Sequence, residues 1–196
     1  MDDEILIAVT GAAAGLIGTV VGAVVSWYSS ERRSKIQNTV DLHREWQSDD
    51  MTAIRLKADR LVRENTGIHL LQLELDGDPT AYANVLRVLN FFQRLWMLLK
   101  HKQLTNYLVP ELFGSYIVWW NVNCFEAGIP SKWVIRQDWL SLYAWLEANS
   151  SVETFGRWKD NAAFAKKNRQ AGSLLAAAVA QPGAQADGPA PGGPAA

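Results

Sequence analysis

Residues 80–102, TAYANVLRVLNFFQRLWMLLKHK, decide the fold. Tyr82, Val85, Leu89, Phe92, Trp96 and Leu99 recur there at three- and four-residue spacing and make one apolar row, and Val88, Phe91, Leu95 and Leu98 make a second. Such spacing sets side chains on one face of an α-helix, and two rows require burial on two sides. Only Asn84, Arg87, Arg94 and His101 remain as a narrow polar strip, so this helix is expected at the centre of a bundle. Thr80 is expected to cap it after a turn at Asp76-Gly77-Asp78-Pro79.

Outward toward the C-terminus, a helix is expected from Pro110 to Glu126, with proline in its first turn and Phe113, Tyr116, Ile117, Trp120 and Cys124 along it, ending near Gly128 and Pro130. Another should run from Lys132 to Ala148 with Trp133, Trp139, Tyr143 and Trp145, and a last amphipathic piece from Val152 to Lys167 with Phe155, Trp158 and Phe164. The chain holds nine tryptophans; at helical spacing such rings are read as core and not as a stacking platform for a ligand. From residue 170 the chain is rich in Ala, Gly and Pro with almost no charge, and residues 170–196 are expected to be a disordered tail in which Ala171 to Gln181 forms at most a transient helix.

Outward toward the N-terminus, residues 68–75 alternate loosely, but a single strand has nothing to pair with, so helix or irregular packing is expected. Before them Ser48 caps a helix with Asp49 and Asp50 in its first turn and Gly67 as its stop; Met51, Ile54, Ala58, Leu61 and Val62 are its buried face. From Ser29 to Gln47 no Gly or Pro interrupts helical periodicity, and Ile36, Thr39, Val40, Leu42, His43 and Trp46 form its stripe. The fold class is therefore all-α.

Ahead of this, Ile5 to Trp27 reads ILIAVTGAAAGLIGTVVGAVVSW, 23 residues without a charged side chain. At about 1.5 Å per residue that length crosses a hydrocarbon core of about 30 Å. A buried helix of a soluble core is the poorer reading, because four glycines would each cost about 1 kcal/mol relative to alanine. Asp2, Asp3 and Glu4 precede the run in place of the positive charge of a signal peptide, so an uncleaved anchor is expected. Arg32, Arg33 and Lys35 follow it and set the orientation: N-terminus outside, C-terminus cytoplasmic, in the inner (plasma) membrane, with Trp27 and Tyr28 at the inner boundary. The expected organisation is 1–4 extracytoplasmic, 5–28 a single transmembrane helix, 29–169 a cytoplasmic helical bundle and 170–196 the tail. Gly11, Gly15, Gly18 and Gly22 share one helix face; they make either a surface for self-association or the ordinary glycine enrichment of membrane helices.

Formal net charge is −1, which gives no global field for nucleic acid, and no nucleic-acid partner is expected. The single cysteine, Cys124, permits no internal disulfide and is read as an inert buried thiol. His43, His69 and His101 lie in separate segments without metal-ligand spacing, and neither a phosphate loop nor a nucleophile elbow occurs, so no metal, cofactor or catalytic residue is assigned. The one polar cluster to weigh is Asp41, His43, Arg44 and Glu45, facing Arg55, Asp59 and Arg60 across the turn at Ser48 to Asp50. Arg55 falls beside the apolar face of its helix and would need a carboxylate such as Glu45 or Asp59. The cluster reads first as a salt-bridged helical hairpin; the alternatives are a catalytic site with His43 as base and Glu45 or Asp41 as orienter, and recognition of lipid headgroups or a partner.

The segments LHREWQSDDMTAIRLKA (Leu42 to Ala58), VLNFFQRLW (Val88 to Trp96) and Ile135-Arg136 running to Trp145 resemble a bacterial and phage family of unknown function. Its members are similar in pairing an N-terminal membrane helix with a helical domain, over roughly Ile5 to Asn149 here. This chain has Gln93 where the family pattern has Glu, which removes any role needing a carboxylate there. The resemblance implies architecture and no activity, with a tilt toward phage–host conflict or envelope surveillance. The expected function is thus an interaction or scaffolding module with the bilayer, an unknown protein partner and a possible homo-oligomer as partners. The alternatives are a membrane-tethered enzyme or toxin-like effector, and a self-assembling membrane-perturbing protein.

Overall fold

In the computed structural model, which describes residues 2–64 and 79–179, the chain is all-helical, with no strand among the described residues. α1 runs without a break from Asp2 to Trp46, 45 residues or about 68 Å at about 1.5 Å per residue. The apolar run and the first helix of the domain are therefore one element. α1 stops where Ser48 turns the chain. The Ser48 hydroxyl donates to the Glu45 carbonyl at 2.7 Å and accepts from the Met51 backbone N–H at 3.3 Å, capping α2 (Asp49–Glu64) as its sequence predicts. The expected stop at Gly67 and the segment 68–75 lie outside the described residues.

α3 (Pro79–Lys100) begins one residue before the expected cap, with Pro79 in its first turn and the Thr80 carbonyl accepting from Asn84 Nδ2 at 2.9 Å. Both apolar rows are used. Val85, Val88, Phe92 and Leu95 are fully enclosed, α2 lies against one side and α5 (Val134–Ala148) against the other. At its C-terminus Gln103 N–H bonds the Leu98 carbonyl and Lys102 N–H the Leu99 carbonyl, both at 2.9 Å, with Lys102 at φ 57°. This is the left-handed stop in which glycine is usual, here occupied by lysine.

α4 (Leu108–Trp120) starts two residues before Pro110, which sits buried in its first turn. The helix then widens into a π-helical segment, Asn121–Phe125, where Glu126 N–H reaches back to the Asn121 carbonyl, and closes with a last turn, Glu126–Gly128. Pro130 explains the ending, since Ile129 before it is extended. Asn121 is buried, and its side-chain oxygen accepts from Trp139 Nε1 at 2.8 Å, tying this segment to α5. Cys124 lies in it as a half-buried thiol, where full burial was expected.

Ser151 caps α6 (Val152–Val179), its hydroxyl accepting from Thr154 N–H at 3.1 Å. α6 buries Phe155 and Ala162 and continues to Val179, past Gln170, where the sequence suggested at most a transient helix; its Ala and Leu content favours helix over coil. Phe164, expected in the core, is exposed at 67%, because nine residues after Phe155 is two and a half turns, the opposite face. Trp158 lies flat against Gly114 of α4, so close that a Cβ there would stand 2.3 Å from its ring.

Candidate functional site

The centre of the molecule is an aromatic cluster around Trp46, which is fully buried at the end of α1. Its ring lies 4.7 Å from Phe91, 4.9 Å from Phe92 and 5.5 Å from Tyr116, and Phe92 passes the stack on to Trp139 at 5.3 Å. Arg55 lies over this cluster from α2, its guanidinium 4.5 Å from the Trp46 ring centre and 5.6 Å from that of Tyr116, with a hydrogen bond of 2.8 Å to the Thr52 hydroxyl. Burial lowers its pKa, opposed by Tyr116. Of the carboxylates expected beside Arg55, Glu45 pairs with Arg94 of α3, and Arg55 rests against two aromatic faces. A weakly hydrated planar cation suits ring faces better than an ammonium does.

Of the remaining members of the expected polar cluster, Asp41 and Arg44 pair with each other, away from His43. Asp41 lies on the exposed side of α1, accepting from Arg44 at 2.8 Å and from Gln37 at 2.9 Å. His43, two residues further along α1 and so on its other side, lies edge-on to Phe113 at 5.5 Å, with the Gln47 amide 3.4 Å from its Nε2. Gln47 Nε2 also donates to the Tyr116 hydroxyl at 2.9 Å. Partial burial lowers the His43 pKa. His43 is thus oriented by Gln47 and packed by Phe113, and neither Asp41 nor Glu45 is its orienter. Asp59 is buried on α2. No group of His, Cys and carboxylates among the described residues converges on a metal-sized site.

Two clefts flank this centre. A groove of about 500 Å³ opens between the end of α1, the start of α2 and α3, lined by Glu45, Asp50, Met51, Arg87, Phe91 and Arg94 among others. A crevice of about 580 Å³ opens where α1 emerges from the domain, bounded by Trp27, Glu31, Lys35 and Asn38 on α1 and by His101, Lys102 and Gln103 beyond α3. Here α1 is fastened to the chain after α3. Thr105 N–H donates to the buried Thr39 hydroxyl at 3.0 Å, and Asn38 Nδ2 donates to the Gln103 carbonyl at 3.3 Å. Neither the groove nor the crevice is legible from sequence spacing, because both join segments far apart in the chain.

Above the crevice α1 stands free of the domain. Val21, Val24, Val25, Trp27 and Tyr28 are each between 55% and 68% exposed, and Gly22 has open space where a Cβ would be. Among the residues whose side chains are described, no helix is long and apolar enough to cross a membrane. Residues 5–18 of the apolar run, with Gly11, Gly15 and Gly18, lie outside them. No protein family, curated protein or solved structure matches the chain.

Proposed function

We propose that the protein is a single-pass membrane-anchored interaction module: the first half of α1 crosses the bilayer with its N-terminus outside, and the helical domain works on the cytoplasmic side by binding protein partners. One observation carries this reading. A continuous helix leaves the domain and presents Val21, Val24, Val25, Trp27 and Tyr28 to its surroundings with no domain surface over them. Apolar side chains so displayed suit a medium other than water, and the sequence before them runs back to Ile5 without a charged residue. Arg32 and Arg33 after it favour cytoplasmic retention of the domain, and Trp27 and Tyr28 suit the headgroup boundary. The reading of the domain as acting by interaction is supported by buried polar groups tied to structure, Asn121 to Trp139 and Thr39 to Thr105, and by the packing of His43 against Phe113.

The groove between α1, α2 and α3 is the surface that offers a partner both signs of charge and an apolar floor. Crosslinking of the intact protein in its own membrane, with mass spectrometry of what is attached, tests the reading. A specific partner captured by wild type and lost on substituting Arg87→Glu in the groove supports it. A protein recovered quantitatively in the water-soluble fraction, with no partner, contradicts it.

A further inference from the structure

We infer that the crevice between α1 and the turn after α3 is a binding site for the headgroup of an anionic phospholipid. The inference rests on the membrane-anchored reading above and adds a ligand to it. Three observations meet here. First, position: Trp27 begins the crevice and Asn38 ends it, about 16 Å along α1 at about 1.5 Å per residue. If hydrocarbon ends at Trp27, the first turn of the crevice falls in a headgroup layer about 5–8 Å deep, and long basic side chains farther along reach back to it.

Second, charge: the crevice is lined by Lys35, His101 and Lys102 against one carboxylate, Glu31, and the sequence beside it adds Arg32, Arg33 and Lys100. Glu31 is already engaged by Lys35 at 2.6 Å. The crevice wall formed by Ser30, Ser34 and Asn38 supplies hydroxyl and amide donors beside these cations, which is the complement of a phosphodiester with a polar headgroup.

Third, Lys102 holds the left-handed conformation at φ 57°, where glycine is the cheaper residue. A lysine kept in a strained position at the mouth of a basic crevice is an outlier that points to use of its side chain. The bonds Asn38 to Gln103 and Thr39 to Thr105 fix this turn against α1, so the two halves of the site are held in register. The surface charge of α1 alone would attract any anionic bilayer diffusely; the crevice adds a place where one headgroup is enclosed on two sides.

The test is flotation and native mass spectrometry of the full chain reconstituted into phosphatidylcholine vesicles, with and without 30% phosphatidylglycerol. Wild type is expected to retain a phosphatidylglycerol adduct in preference to phosphatidylcholine. Lys102→Gly keeps the turn and removes the cation, and is expected to lower that preference about fivefold, as one lysine near an anionic surface does; Lys132→Gln, an exposed lysine outside the crevice lining, is expected to leave it unchanged. An equal loss in both variants would show diffuse attraction and overturn the site. Equal retention of both lipids by wild type would overturn it as well. Displacement of the adduct by millimolar inorganic phosphate, with no dependence on lipid, would assign the crevice to a soluble anion and overturn the lipid proposal. Failure of wild type to float even with neutral vesicles would refute the anchor itself, an outcome separate from loss of lipid preference.

Discussion

His43 shows how a residue that looks catalytic in sequence becomes structural once its neighbours are known. Its ring packs edge-on to Phe113 with the Gln47 amide 3.4 Å from Nε2, and burial disfavours the charged form. The folded pKa lies below the ordinary 6.5, so the unfolded chain takes up the proton first as pH falls. His43 therefore contributes nothing to stability above pH 6.5 and destabilises the fold progressively below it, down to its folded pKa. His43→Gln should flatten this part of the acid limb, read as the melting temperature at pH 7 and at about pH 5. Retention of the full slope in the variant would show that other groups carry it.

At the same scale, Arg55 rests against two ring faces, so charge alone does not replace it. Arg55→Lys should cost about 1 kcal/mol in a urea titration, because the ammonium loses the planar contact with Trp46 and Tyr116. An unchanged midpoint would count against that contact.

Among the elements, the junction of α4 and α6 depends on the missing side chain of Gly114. Gly114→Ala places a methyl in the Trp158 ring, and the indole must leave its seat. A destabilisation of about 1–3 kcal/mol is expected, with a change in the near-ultraviolet dichroism that reports tryptophan packing. The pattern of the sequence reached most of these helices because 3.6-residue periodicity is local information; the two rows of α3 predict its central place and the Ser48 cap marks the start of α2. It missed what is set by distance. The π-helical segment at Asn121–Phe125 has no periodic signature, Phe164 fell on the wrong face by counting hydrophobicity without phase, and the reach of α6 to Val179 follows from alanine content that also suits a tail. The polar cluster is divided by the same periodicity: Asp41 and Glu45 are four apart and share a face of α1, His43, two residues from each, lies on the other side, and Glu45 is taken by Arg94 of α3, which sequence spacing does not reveal.

On the scale of the whole molecule, α1 is both the stem and a core element. Its last turns contribute Leu42 and Trp46 to the interior, while residues 21–28 stand outside it. One helix without a break joins the two. Replacing Ser30 by Pro should interrupt it: the domain is expected to keep its melting temperature within a few degrees while the crevice loses its α1 wall and the lipid preference falls. A domain that unfolds on that substitution would show that the stem is part of its stability.

The measurement that bears most directly on a domain carried by one crossing is labelling of single cysteines in intact cells with a membrane-impermeant maleimide, in a Cys124→Ser background. Asp3→Cys should react from outside, Lys159→Cys only after lysis, and the protein should stay with the membrane in alkaline carbonate. Reaction of both positions only after lysis, with the protein released by carbonate, would contradict a membrane-crossing α1.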